Sequence, residues 1–248
     1  MYKELEWATE YFMPTTSRMV NGPPLPEIEN EENKIFEPEG LQVIEPLIFP
    51  VIDTANRTEL IRQVRLLQTR AKNYDNYWQA NDIDSSQVFD AIKLEVFRNI
   101  SLGLSGFDVP LAKSSISEAA AVFSSLKEVT GKFSNKTSAK LTSHIDEAIQ
   151  YLLAHQEFNS FDRLFFITRY ANPVTREMVA LQRRLQIPFV QDSRLLRPEA
   201  VTMFDGIGSF DLNAYTPDSS YYVSEAKVIL GNKLFYDAVL SVDNSRSC

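Results

Sequence analysis

Apolar residues return every three or four positions through most of residues 57 to 186, the period of a helix with one buried stripe and not of a strand. In 57–80 these positions are Leu60, Ile61, Val64, Leu67, Ala71, Tyr74 and Trp78; in 85–105 they are Phe89, Ile92, Val96, Phe97, Ile100 and Leu104. Segment 116–133 carries Ile116, Ala119, Ala120, Phe123 and Leu126, behind Ser115-Ile116-Ser117-Glu118, which reads as a capping box. Segment 137–155 carries Leu141, Ile145, Ala148, Ile149 and Leu152. A fifth segment, 161–186, reads as interrupted at Asn172-Pro173, an N-cap and a first-turn proline from which a second helix with Val174, Met178, Leu181 and Leu185 restarts. Short connections favour antiparallel neighbours. The expected fold class is all-α, an up-and-down antiparallel helical bundle with an irregular C-terminal extension.

The ends read differently. Residues 2–13 predict the close of a helix stopped by Pro14, followed by a long loop over 14–39 and a short helix over 40–49 that Pro46 should kink or shorten. Residues 188–222, with Pro198, Gly206, Gly208 and Pro217, predict a linker, and 223–237 a last helix. Met1 leads straight into an amphipathic pattern with no signal peptide, so the chain reads as beginning inside an element. No apolar run is long enough to span a bilayer.

Charge is unevenly placed. The net charge is −8, and residues 1–56 carry all of it, with 3 basic and 11 acidic side chains. Most of the excess is Glu27, Glu29, Glu31, Glu32, Glu37 and Glu39. Nucleic acid is not an expected partner, because phosphate binding needs a clustered basic surface. The acidic segment reads as a solvated loop, with cation binding as the alternative.

Few residues suggest chemistry of their own. His144 and His155 lie about three helical turns apart, some ~16 Å along the axis, and cannot share a metal. Asp146 and Glu147 are adjacent and point apart on a helix. Gly206 and Gly208 lack the rest of a dinucleotide fingerprint. Tyr74, Tyr77 and Trp78 read as core packing.

Two stretches carry family resemblances. Leu230-Gly231-Asn232-Lys233-Leu234-Phe235-Tyr236-Asp237, Leu240-Ser241 and Ser245-Arg246-Ser247-Cys248 closely resemble the entry to the di-haem cytochrome c peroxidase family, which includes MauG-like proteins. There the phrase leads into C-x-x-C-H, whose cysteines bond to haem and whose histidine ligates iron. The resemblance implies that Cys248 is the first haem-attachment cysteine of an incomplete motif. Haem c is then a cofactor of the full-length protein and not of this chain.

The second resemblance is to the imelysin-like family, helical envelope proteins with a G-x-H-x-x-E signature of metal ligands. Gly40-Leu41-Gln42-Val43-Ile44-Glu45 keeps the glycine and glutamate and places Gln42 where the family has histidine. With Asn21-Gly22-Pro23-Pro24-Leu25-Pro26, Ser105-Gly106-Phe107-Asp108 and Asn159-Ser160-Phe161-Asp162-Arg163, it resembles the N-terminal module fused to the peroxidase in Bacteroidetes-type proteins. The combined resemblance implies an imelysin-like bundle over 1–187, a linker over 188–222 and the start of a truncated c-type haem domain over 223–248. It further implies a periplasmic or envelope location, partnership with the downstream di-haem domain and an electron-donor protein, and a non-catalytic docking role. The alternative is an envelope metal- or ligand-binding domain using Glu45 and the acidic loop.

Overall fold

The stripes that share one side of their helices converge on a single apolar core. The computed structural model describes residues 2–29, 34–133 and 139–247, which are mostly helical, and the chain divides into two units, Met1–Val190 and Gln191–Cys248. In the first unit the helices are α1 (Tyr2–Phe12), α2 (Pro14–Asn21), α3 (Leu41–Ile48), α4 (Arg57–Ala80), α5 (Ser85–Arg98), α6 (Ser115–Gly131), α7 (Ala139–Ala154), α8 (Arg163–Phe166) and α9 (Asn172–Arg184). Phe89, Ile92 and Val96 of α5 meet Ile116, Phe123 and Leu126 of α6, Leu141, Ile145 and Leu152 of α7, and Val174, Met178 and Leu181 of α9 in one cluster. At about 1.5–3 kcal/mol for each large apolar side chain removed from water, this cluster is the main source of stability. Helix α1 packs on α5 and α6, while α2 and α3 pack on α4.

Four local expectations are corrected. The stretch after Pro14 is not all loop: with Pro14 in its first turn, α2 starts at once, because a missing N–H costs nothing where no intrahelical bond is due. Farther along, β1 (Glu27–Glu29) and β2 (Lys34–Phe36) pair antiparallel, Ile28 opposite Ile35. The α6 capping box does not form, because the N-cap side chain accepts no backbone N–H. Ser114 is the N-cap and its hydroxyl donates to the Glu118 carboxylate at 2.7 Å, whereas Ser115 is buried.

The third correction concerns Pro173, which does not break the fifth segment. Helix α8 runs into a π turn at Ile167–Ala171 and on into α9, with the Asn172 N–H donating to the Ile167 carbonyl. The wider turn accommodates a proline ring that would otherwise strike the carbonyl of the preceding turn.

The fourth is α4. It spans the expected residues, but its apolar stripe is not buried: Ile61, Val64 and Trp78 are exposed, and among its described side chains the fully buried one is Gln63. No helix among the described residues is long and apolar enough to cross a membrane.

In the second unit, an isolated bridge joins Leu196 and Phe210, and α10 (Glu225–Phe235) starts at a Ser224 cap. No residue of α10 is buried, and Val228, Ile229, Leu230, Leu234 and Phe235 are all exposed.

Candidate functional site

Helix α1 brings acidic and basic side chains into the interior, where only mutual pairing makes them tolerable. The Lys3 ammonium donates to Glu6 Oε1 at 2.8 Å and to Asp108 Oδ2 at 2.6 Å. Across from it, the Arg98 guanidinium reaches Glu6 Oε1 at 2.7 Å, Asp108 Oδ2 at 3.1 Å and Glu10 Oε1 at 3.3 Å. Glu10 also accepts from Ser17 of α2, so one network ties α1, α2, α5 and the segment after α5 together. That segment opens with a π turn, Asn99–Gly103, which carries the chain from Arg98 round to Asp108.

Electrostatics follow from burial. Burial alone would raise the Asp108 carboxyl, but Lys3 and Arg98 outweigh it and hold Asp108 below the usual carboxylate range. Glu6 is raised, because burial exceeds the help of the same two cations and Asp108 adds repulsion. Glu95, only 2% exposed, is held well above the usual carboxylate range, by burial first and the Glu6 charge second, with Arg98 opposing. Its two carboxylate oxygens have no hydrogen-bond partner among the described residues.

Beside this network lies a cavity of about 530 Å³, walled by Leu41, Ile44, Ile48, Phe49 and Ala112 with Tyr2, Lys3, Asn21, Glu45 and Asp108 among its polar lining. Asn21 is 6% exposed and its side-chain N–H₂ lacks a partner.

The degenerate motif sits at the edge of this cavity, and each of its residues is engaged in the fold. Gly40 has φ +97° and lies so near the Val20 and Met19 carbonyls that a Cβ would collide with them. Its N–H donates to Gln63 Oε1, which accounts for the burial of Gln63. Gln42 Nε2 donates to the Asn21 carbonyl at 2.8 Å. Glu45 Oε1 accepts the N–H groups of Leu111 and Ala112 at 3.1 and 2.8 Å.

The other quoted segments meet as well. Arg163 donates to the Leu104, Phe161 and Phe158 carbonyls, and Gly106, at φ +78°, leaves room for the Phe158 ring.

The remaining candidates separate. His155 lies just past the end of α7, stacked on Tyr151 at 4.1 Å with Nδ1 bonded to the Tyr151 carbonyl, and His144 is half-buried on α7. Glu39 pairs with Arg70 of α4 at 2.8 Å. Glu31, Glu32 and Cys248 lie outside the described residues, so the acidic loop is covered only in part and the cysteine expected to attach haem not at all. Among the described residues no cluster of three His, Cys, Asp or Glu side chains is arranged to hold a metal.

Sequence reasoning missed the α1–α5 network entirely. Glu6 and Arg98 are 92 residues apart and each looks like an ordinary charge on an amphipathic helix. The only available signal was a base followed by three acids, Lys3 then Glu4, Glu6 and Glu10, on a helix that also had to bury Trp7 and Ala8. Comparison with known proteins adds no name: no family model, curated protein or solved structure matches this chain.

Proposed function

We propose that this chain is a helical accessory module of a protein of the di-haem cytochrome c peroxidase family, serving docking or interaction and performing no catalysis itself. The parent chemistry would be peroxide reduction with electrons passing through c-type haems, in the periplasm or envelope. The observation that carries the non-catalytic part is the use of the motif residues. Gly40, Gln42 and Glu45 are bonded to Gln63, Asn21 and the 111–112 backbone, so they serve as fasteners between α2, α3, α4 and the segment after α5. Support for a haem-domain partner comes from the exposed apolar side chains of α10, in the stretch that resembles the haem-domain entry.

The source gene supplies the test. Codons after Cys248 that read two residues, then Cys and His, with a second such pentapeptide farther on, support the proposal. A stop codon, or continuation without the pentapeptide, overturns the peroxidase part.

The cavity favours a second reading, a ligand- or metal-binding domain. At about 530 Å³ it is of small-molecule size, and the unpartnered Asn21 amide and Glu45 line it. Thermal melting with calcium, zinc and iron separates this reading from the first, since a ligand of the folded state raises Tm with concentration. A rise that disappears in Glu45→Gln, which keeps an acceptor for the two backbone N–H groups, supports a cation there. No shift with any of the three rejects the metal form.

A further inference from the structure

Glu45 is 8% exposed, and the fold uses only one of its two carboxylate oxygens. Oε1 takes both the Leu111 and the Ala112 N–H, which fixes the direction of the group. Oε2 has no hydrogen-bond partner among the described residues and is not shut off from solvent. It therefore meets open space, and the open space that Glu45 lines is the cavity of about 530 Å³. Water satisfies such an oxygen, but it leaves the walls of Leu41, Ile44, Ile48 and Phe49 wet. A charged donor with an apolar body satisfies the oxygen by charge-assisted bonds and covers the walls as well.

The lining sets the sign of the ligand's charge. Its charged side chains are Lys3, Glu45, Asp108 and Glu118. The Lys3 ammonium has three donors, and they go to both Glu6 oxygens and to Asp108, so none is left for an anion. Asp108 is in turn held by Lys3 and Arg98. Among the described residues Glu45 and Glu118 have no cationic partner, and Glu118 accepts the uncharged Ser114 hydroxyl. The unpartnered Asn21 N–H₂ is uncharged and shut off from solvent, so it does not favour an anion as a lysine would. A bare metal ion fits less well than an organic cation. It needs several converging oxygens, and among the described residues no group of three acidic, histidine or cysteine side chains is so arranged.

We propose that the cavity binds an organic ammonium ion, with its apolar body against Leu41, Ile44, Ile48 and Phe49 and its –NH₃⁺ on Glu45 Oε2. This rests on the reading of the cavity as a ligand site and adds the class of ligand.

The test is isothermal titration calorimetry of the intact chain at pH 7 with hexylammonium, hexanol and hexanoate, and with ammonium chloride as the control for charge alone. Hexylammonium is expected to bind at a single site about tenfold more tightly than hexanol. Hexanoate and ammonium are expected to give no saturable heat. In Glu45→Gln, whose side-chain oxygen still accepts from Leu111 and Ala112, the advantage over hexanol is expected to vanish. Ala121→Phe, which fills the cavity from α6 and keeps Glu45, is expected to remove binding of both. Hexanol or hexanoate binding as tightly as hexylammonium overturns the proposal and leaves the cavity a ligand site of another class. No binding of any probe overturns the proposal, and a metal-induced rise in Tm then keeps the metal form alone. Unchanged hexylammonium affinity in either variant overturns it too.

Discussion

Arg98 touches three carboxylates, and its removal would leave Glu6 and Asp108 buried with Lys3 alone. Breaking a buried pair from one side costs about 3–5 kcal/mol, so Arg98→Ala should lower the urea midpoint by that equivalent, and Arg98→Lys should recover part of it. Asp108 adds a pH signature. Its carboxyl is held low, so its contribution to stability is present above the ordinary aspartate value and disappears as pH falls through the lowered one. Melting curves of Asp108→Asn should show a smaller acid-side loss than the unaltered chain; identical acid limbs would contradict the pairing. Gly40→Ala tests the fastener reading. A non-glycine residue at φ +97° costs about 1–3 kcal/mol before the collision with the Val20 carbonyl is counted, and chemical denaturation should detect it. Lys3, Glu6 and Arg98 were not visible from the sequence, and Asp108 entered only as the end of the 105–108 segment, because burial of a charge depends on partners from distant segments. Gly40, Gln42 and Glu45 were singled out as a degenerate metal motif, with Glu45 alone offered as a ligand, and the contacts found for them are with neighbouring backbone and Gln63.

Among the elements, α6 and α4 show what periodicity does and does not tell. Both have apolar residues in line, but the α6 stripe meets α5, α7 and α9, whereas the α4 stripe is covered only in part: Trp78 meets Phe12 of α1, and Ile61 and Val64 are exposed. Period reports that residues share a face and is silent on whether another element covers it. Phe123→Ala should cost about 3–5 kcal/mol, while Val64→Lys should stay within about 0.5 kcal/mol. Equal costs in thermal or chemical melts would mean that α4 is covered after all. Asn172-Pro173 misled for a related reason. The dipeptide is a good helix start, yet it is also compatible with a continuous helix when a π turn lies just before it. Choosing between the two needs the packing of Ala171 and Val174 in the core, which no short window of sequence contains.

At the scale of the whole molecule, the apolar core belongs to the unit ending at Val190, while the unit beginning at Gln191 exposes most of its large apolar side chains. The helical class was legible because five segments repeat the same period. The role of the last 58 residues was not, because their meaning rests on resemblance and not on any buried pattern. Segments with few buried contacts open first. Limited trypsin digestion followed by mass spectrometry should therefore cut after Lys227, Lys233 or Arg246, all exposed, before any site in α5, α6 or α7. Early cuts within those three helices would contradict the assignment of the core.

The central proposal is that this chain serves a di-haem domain and holds no haem itself. The most direct measurement is covalent haem, by in-gel staining after denaturation, in the product of the complete source gene and in residues 1–248 alone. The account predicts haem retained on the complete product and none on residues 1–248. A complete product without covalent haem would contradict it.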